Sequence, residues 1–428
     1  MKPSTILTDQ PLHRASLPVD LSGAQSKRWW IFLVCFISTL FGGVSSMLMS
    51  VYLPVVARDL LGTAGEEKLN AVGAAINALF ILGWMFGGMT WGFIGDRAGR
   101  ARSVVLSTAT YALFTLMTAW SPSWMLVSIS RFMAGFGIGG VLVTTTILVT
   151  EYYPAKKRAV ALGMLSVAIP LGFFVAGAVN NLVSDWHKAF LLGVVPLVLS
   201  LVALFTLSEP AEWKKAGMRL QYEQRDRSSL FDSVYRRDLF DGSLIFGSML
   251  IGLWAIFSWA PTWAQGLAVP SGAQQSRGLT LMILALGGLG GSFFSGWIVN
   301  AIGLKRTMML CFSVCFLLSF TIFRLSVSLK MPVYIELAIL AFFFGISQGA
   351  LALYIPLLFP TEVKAAATGF CFNVGRLFTG TVVFFIGALV FWLGGYGHAI
   401  FIFSFVFLIG LAATWRTRLS EEVPMANT

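Results

Sequence analysis

The stretch GFIGDRAGRAR, residues 92–102, places four charged side chains in a short gap between two long apolar runs. The chain of 428 residues around it is 57% hydrophobic and only 11% charged, with a mean hydropathy of +0.80. Soluble domains carry about 25% charged residues, and apolar runs of about 18 residues or more indicate membrane-spanning helices. The charged gap therefore joins two membrane spans, and the composition excludes a soluble enzyme.

Outward from this gap, apolar runs bounded by charges or by Pro and Gly recur along the whole chain. Each is near the ~20 residues that a helix needs to cross a bilayer. The sequence therefore predicts an all-α polytopic membrane protein with 12 transmembrane helices. The predicted spans are 29–57, 71–94, 103–120, 124–150, 158–182, 187–208, 239–266, 276–300, 305–326, 332–358, 365–394 and 397–416.

One polar segment, SEPAEWKKAGMRLQYEQRDRSSLFDSVYRRD at residues 208–238, divides six spans from six. Its alternating charges are typical of amphipathic surface helices, and a plain linker is an equal alternative. The predicted organisation is an N-terminal tail (1–28), a six-helix bundle (29–208), a central loop (209–238), a second six-helix bundle (239–416) and a C-terminal tail (417–428).

The basic residues give an orientation. One side of the predicted bundle, which includes both tails, holds 22 of the 30 lysines and arginines, and the other side holds five. Loops rich in Lys and Arg stay in the cytoplasm, so both termini are predicted to be cytoplasmic. The protein is then an integral plasma-membrane protein, in the inner membrane if the source is bacterial, and its charge requires no nucleic acid partner.

The four cysteines, Cys35, Cys311, Cys315 and Cys371, all fall inside apolar runs. We expect free thiols that pack as small apolar side chains.

Two motifs indicate an internal repeat. Residues 92–102 recur in weaker form as GWIVNAIGLKR at 296–306, an offset of 204 residues. The stretch YPAKKRAVALG at 153–163 matches FPTEVKAAATG at 359–369, an offset of 206 residues. Two six-helix repeats are therefore predicted, and such repeats favour alternating access around a site between the halves.

These motifs also resemble those of a known family. Gly92-x-x-x-Asp96-Arg97-x-Gly99-Arg100-x-Arg102 resembles the signature of the major facilitator superfamily between helices 2 and 3. RFMAGFGIGG (131–140), EYYPAKKR (151–158) and FPTEVK (359–364) are similar to its motifs in and after helices 4 and 10. The resemblance covers about residues 29–416. It implies the major facilitator fold, and PTEVKAAATGFCFNVGR (360–376) is most similar to the organic-anion, aromatic-acid and synaptic-vesicle-like branches.

The resemblance implies a role for the charged gap. Asp96 would accept hydrogen bonds from the free amides that begin helix 11, near Ala365. Two charge clusters are then predicted to hold the cytoplasmic side closed, the second more weakly because Asn300 and Ala301 replace its Asp and Arg. The alternative is that the charges only set topology. The predicted gating residues are Asp96, Arg97, Arg100, Glu151 and Arg158 in the first half, and Glu362 facing Lys305 and Arg306 in the second.

Two arginines lie inside predicted spans, where an ionisable group is a functional candidate because burying it is costly. Arg376 lies near the middle of helix 11, and a guanidinium can bind a carboxylate through two parallel hydrogen bonds. The alternative partners of Arg376 are backbone carbonyls or Asn373. Arg131 in helix 4 is as readily structural as it is substrate-binding.

Aromatic and polar side chains in other spans complete the predicted substrate site. A mostly aromatic wall with a few polar groups suits an amphipathic organic molecule. The predicted lining residues, besides Arg376, Arg131 and Asn373, are Tyr52, Asn77, Trp254, Ser258, Gln348 and Tyr354.

The predicted function is a secondary or facilitative transporter of a small organic anion, a carboxylate or sugar acid, by alternating access. Helix 1 lacks an ionisable group over residues 41–54, so proton coupling through Glu336, proton coupling through a protonated substrate, and uncoupled transport all stay open. A neutral sugar or polyol carrier, a drug or lipid exporter, and a non-transporting sensor or scaffold are the alternatives. The sequence has no metal-ligand cluster, nucleophile triad or phosphate loop, so no enzymatic activity and no cofactor is predicted. One chain holds a complete pathway, which favours a monomer in the bilayer.

Overall fold

The computed structural model describes residues 21–62, 65–209, 233–268, 273–326, 328–359, 364–390 and 392–417. Within these ranges the chain is helical and contains no strand. Twelve helices follow the predicted order: α1 (Leu21–Leu61), α2 (Glu66–Ala98), α3 (Arg100–Ala119), α4 (Trp124–Tyr152), α5 (Ala155–Ser166 and Ala168–Leu182), α6 (Trp186–Phe190 and Val194–Thr206, joined by a 3-10 turn at Leu191–Gly193), α7 (Arg236–Leu267), α8 (Ala273–Ile302), α9 (Leu304–Phe320 with a π turn at Thr321–Leu325), α10 (Met331–Leu357), α11 (Lys364–Leu389) and α12 (Tyr396–Ser404 and Val406–Arg416). The predicted surface helices of the central loop fall mainly on residues 210–232, outside the described part.

Ten of these helices are long and apolar enough to cross a membrane by length and composition. The other two, α3 and α11, take the places of the third and eleventh predicted spans. α3 is less apolar because it buries several hydroxyl side chains, including Ser103, Ser107 and Thr108, inside the bundle. The prediction of a twelve-helix membrane protein is confirmed.

Two predicted spans needed correction. α5 is not one continuous helix but breaks at Val167. Pro170 explains the break, because a proline has no N–H to bond the carbonyl four residues earlier, at Ser166. α11 ends at Leu389 rather than at residue 394, and the chain then turns at Gly394 and Gly395, whose φ angles of +80° and +116° suit glycine.

The repeat is visible in the backbone. Gly99 precedes α3 with a φ of +116°, and Gly303 precedes α9 with a φ of +88°. Both angles lie in the region that favours glycine. The two glycines are 204 residues apart, which is the offset that the sequence gives for the motif, so the duplication is confirmed.

Helix packing repeats with the same offset. In the first half, Gly83 and Gly87 of α2 lie against the backbone carbonyls of Phe132 and Phe136 in α4. In the second half, Gly287 and Gly291 of α8 lie in the same way against the carbonyls of Ala338 and Phe342 in α10. A Cβ at any of the four glycines would overlap these oxygens, so the small residues set the close approach of the helices.

The two halves meet along three pairs of helices, α1 with α7, α2 with α11 and α5 with α8. We call the end of the bundle that carries residues 92–102 the basic end, and the other the opposite end. The four cysteines are buried and free, as expected.

Candidate functional site

At the basic end of the first half, Arg100 and Glu151 form an ion pair. Arg100 Nε lies 3.2 Å from Glu151 Oε1, and the two side chains are only 16% and 19% exposed. The pair joins the start of α3 to the end of α4, while Arg97 is exposed. The side chains of Asp96 and Arg158 lie outside the described residues, so the gating role of the cluster stays a prediction.

Sequence reasoning missed Glu209, which follows α6 and caps α3. Its carboxylate accepts hydrogen bonds from the backbone N–H groups of Ala101, at 3.1 Å, and Arg102, at 3.0 Å. The first amides of a helix have no partner within it, and a negative charge there is favoured by the helix dipole. The end of the sixth helix is thereby tied to the start of the third.

The second half makes the corresponding connection with the opposite charge. Lys305 Nζ at the start of α9 donates to the carbonyls of Trp415, at 3.0 Å, and Thr417, at 2.8 Å, at the end of α12. Its predicted partner Glu362 lies outside the described residues, and Arg306 is exposed.

A buried carboxylate in α7 lies at the same end. Asp241, only 1% exposed, pairs with Arg416 of α12 and lies 3.8 Å from Arg237. Tyr354, a predicted lining residue, is fully buried and shares a hydrogen bond with the Thr417 hydroxyl. Its polar group therefore joins α10 to the end of α12 and does not face a ligand here.

Arg131 is fully buried within the first half. Its Nη2 donates to the carbonyl of Ser45 at 2.6 Å, its Nη1 donates to the Ser45 hydroxyl at 3.2 Å, and its guanidinium lies 4.5 Å from the ring centre of Phe80. These contacts tie α4 to α1. They match the structural alternative for Arg131 rather than the substrate-binding one.

Arg376 is in a different setting, halfway along α11. Its Nη1 lies 3.4 Å from Asn373 Oδ1, and its guanidinium lies 5.9 Å from the ring centre of Phe246. No carboxylate contacts it among the described residues. Asn373 in turn faces Gly88 of α2, so this cation lies where the two halves meet.

An aromatic cluster fills the middle of the same boundary. Trp254 of α7 packs against Phe80 and Trp84 of α2, with ring centres 6.2 and 5.4 Å away. Two predicted polar lining groups, Asn77 Nδ2 and Gln348 Nε2, are buried without a hydrogen-bond partner. Unpaired buried donors are uncommon and costly, so they are available to a bound molecule.

Two further predicted lining residues are buried against protein. Ser258 is 1% exposed in α7. The Tyr52 hydroxyl donates to the carbonyl of Val183 at 2.5 Å, which ties α1 to the end of α5. Tyr52 thus has a structural partner, in contrast to its predicted role.

The described hydrogen bonds that join the two halves lie at the opposite end. Asn180 and Gln274 each donate to the other's backbone carbonyl, at 2.9 and 2.6 Å, and Tyr396 donates to Asn70. Towards the basic end, Gly163 of α5 faces open space, as does Gly369 of α11. The halves are therefore joined at one end and separated near the other.

Sequence reasoning also missed a third buried arginine. Arg277 was assigned to a loop because it precedes an apolar run, yet it lies in the second turn of α8 and is 3% exposed. Its Nη1 donates to Gln265 Oε1 at 2.9 Å.

Comparison with known proteins agrees with this geometry. The family model of the Major Facilitator Superfamily matches residues 32–380. A cis,cis-muconate transport protein of Acinetobacter baylyi is 27% identical over 368 residues, which cover 82% of this chain and 85% of that protein. The 4-hydroxybenzoate transporter PcaK of the same organism is 26% identical over 391 residues, 82% of each chain. The inward open xylose transporter XylE from E. coli shares the fold, with a TM-score of 0.77 at 15% identity over 94% of this chain and 98% of that one.

Proposed function

This chain belongs to the Major Facilitator Superfamily, and on that basis we propose that it transports a small organic acid anion across the membrane by alternating access. The relatives named for muconate and 4-hydroxybenzoate support this substrate class, since both compounds are unsaturated or aromatic carboxylic acids. Membership of a transporter family also argues against an enzymatic activity.

Arg376 is the observation that carries the proposal. A guanidinium at membrane depth is costly unless a partner compensates its charge, and the described partners of Arg376 are a neutral amide and an aromatic ring. A substrate carboxylate would supply the missing charge and could accept two parallel hydrogen bonds. Phe246 and the Trp254 cluster then provide apolar surface for the rest of an unsaturated acid.

The arrangement of the halves supports a direction for the opening. We infer that the basic end faces the cytoplasm, because Lys and Arg concentrate there. With the halves joined at the opposite end, this state is open to the cytoplasm. The likeness to an inward open structure supports this assignment.

The test is ligand-induced stabilisation of the purified protein in detergent, because a ligand that binds the folded state raises its stability with concentration. cis,cis-Muconate and 4-hydroxybenzoate are compared with xylose and with a hydrophobic cation, in wild type, Arg376→Ala and Arg306→Ala. The last variant removes an exposed arginine from the same half and is the control for loss of charge.

We expect both acids to raise Tm in wild type and in Arg306→Ala, and neither acid to do so in Arg376→Ala. Stabilisation by xylose or by the cation alone would refute the organic-acid assignment. Stabilisation by acids that persists in Arg376→Ala would leave the substrate class and remove Arg376 from the site.

A further inference from the structure

A second cavity lies between the halves at the opposite end, away from Arg376. Its volume is about 210 Å³, and it is formed by α1 and α2 of the first half and by α7 and α12 of the second. The residues that line it are Leu53, Pro54, Ala57, Arg58, Glu66, Leu69, Asn70, Trp259, Thr262, Gln265, Gly266 and Tyr396.

The acceptor oxygens in this lining already have partners. Asn70 Oδ1 accepts from the Tyr396 hydroxyl, and Gln265 Oε1 accepts from Arg277 at 2.9 Å. An arginine has no acceptor, so it holds the oxygen of Gln265 and leaves the amide nitrogen free to donate. Glu66 Oε1 lies 3.4 Å from Arg58 Nη2.

Two donors in the same lining have no partner. Trp259 Nε1 and the Thr262 hydroxyl are buried without a hydrogen bond, in side chains that are 0% and 8% exposed. Indole N–H is a donor only, and leaving such a group unpaired costs about 1–3 kcal/mol. With Arg58 at the rim, the cavity offers donors and a positive charge, and suits a ligand rich in acceptor oxygens.

The remaining walls indicate the shape of that ligand. Trp259 stacks on Tyr396 with ring centres 5.4 Å apart and an angle of 26° between the planes, and Leu53 and Leu69 face the same space. Pockets for drug-sized ligands measure about 300–1,000 Å³. The smaller volume here fits a molecule the size of a single ring.

We propose that this cavity is a second binding site, for a single-ring carboxylic acid, with Trp259 and Thr262 as donors to its oxygens. The proposal rests on the proposed function, because it assigns another site to the same substrate class. The cavity is bounded by both halves beside the Tyr396–Asn70 hydrogen bond, so a bound acid would touch both halves and hold the opposite end closed.

The test counts binding sites by equilibrium binding of radiolabelled 4-hydroxybenzoate to the full-length protein. Thr262→Val and Trp259→Phe each remove one donor and keep the side-chain shape. Their matched controls are Thr381→Val, at an exposed threonine of α11, and Trp297→Phe, at an exposed tryptophan of α8. Arg376→Ala is measured beside them.

We expect two molecules bound per chain in wild type and in both controls. Thr262→Val and Trp259→Phe should weaken one of the two by at least about tenfold, and Arg376→Ala should remove the other. A single molecule per chain, lost in Arg376→Ala, would overturn the second site while the proposed function stands. Two molecules that neither donor variant affects would also overturn it. Absence of any binding to wild type would refute the proposed function, and the second site with it.

Discussion

Asn180 and Gln274 exchange hydrogen bonds across the boundary between the two halves, each side-chain amide donating to the other residue's backbone carbonyl. Asn180 belongs to the fifth helix and Gln274 to the eighth, the two helices that face each other at this boundary. An alternating-access transporter must break this pair whenever the opposite end opens.

Removing one side of this pair should therefore favour opening at the opposite end. Each hydrogen bond contributes about 0.5–1.5 kcal/mol, so we expect Gln274→Ala to raise the population open at that end by about tenfold. Spin labels at Met125 and Met331, exposed at the first turns of α4 and α10, report this as a longer distance. Asn181→Ala, whose described contact is a weaker one to the Met282 sulfur at 3.6 Å, is the control. An unchanged distance distribution in Gln274→Ala would contradict the role of the pair.

Arg131 should matter for stability rather than for substrate binding. Arg131→Met leaves the buried Ser45 carbonyl without its partner, at a cost of about 1–3 kcal/mol. We expect a lower Tm and an acid affinity within about twofold of wild type. Arg324→Met, at an exposed arginine, is the control and should change neither quantity appreciably. A Tm like that of wild type together with lost binding would return Arg131 to the substrate site.

The close approach of α2 and α4 predicts a strong dependence on glycine. A methyl group at Gly83 would overlap the carbonyl oxygen of Phe132, and such overpacking costs about 1–3 kcal/mol. We expect Gly83→Ala to lower the midpoint of thermal inactivation in detergent. Gly296→Ala is the control because its new Cβ meets no atom within 4 Å, and it should be neutral or slightly stabilising. Equal midpoints for the two variants would show that the helices can move apart at no cost.

Loss of the Glu209 cap should loosen the start of α3. Replacing a capping acceptor costs about 0.5–2 kcal/mol, so we expect Glu209→Ala to speed hydrogen exchange at the Ala101 and Arg102 amides by about 2- to 30-fold. The control, Glu67→Ala, removes an exposed acid from the first turn of α2 and should leave exchange at α3 unchanged. Unaltered exchange in Glu209→Ala would mean that other groups satisfy these amides.

Much of the fold is predictable from the sequence because a bilayer imposes helix length and the repeat imposes register. The motif offset of 204 residues places Gly99 and Gly303 at equivalent junctions, and the positive φ angle of both follows from the same local requirement. The break in α5 could have been predicted from Pro170, whose missing N–H removes one bond in the helix.

The polar contacts were less predictable, because they depend on which face of each helix meets its neighbour. Arg131 and Arg376 look alike in sequence, as single arginines in apolar runs, yet one binds the Ser45 carbonyl and the other lies at the boundary between the halves. Arg277 precedes an apolar run, and only the packing of α8 against the first half shows that it is buried. Helix periodicity alone does not give these rotations.

The two ties at the basic end have a consequence for how the chain can be divided. Glu209 holds α3 to the end of α6, and Lys305 holds α9 to the end of α12, so each tie lies wholly within one six-helix half. Cutting the covalent connection between Glu209 and Arg236 would break neither of them. Two polypeptides expressed separately in one membrane, the first ending after Glu209, should therefore fold as independent units and reassemble into a working transporter.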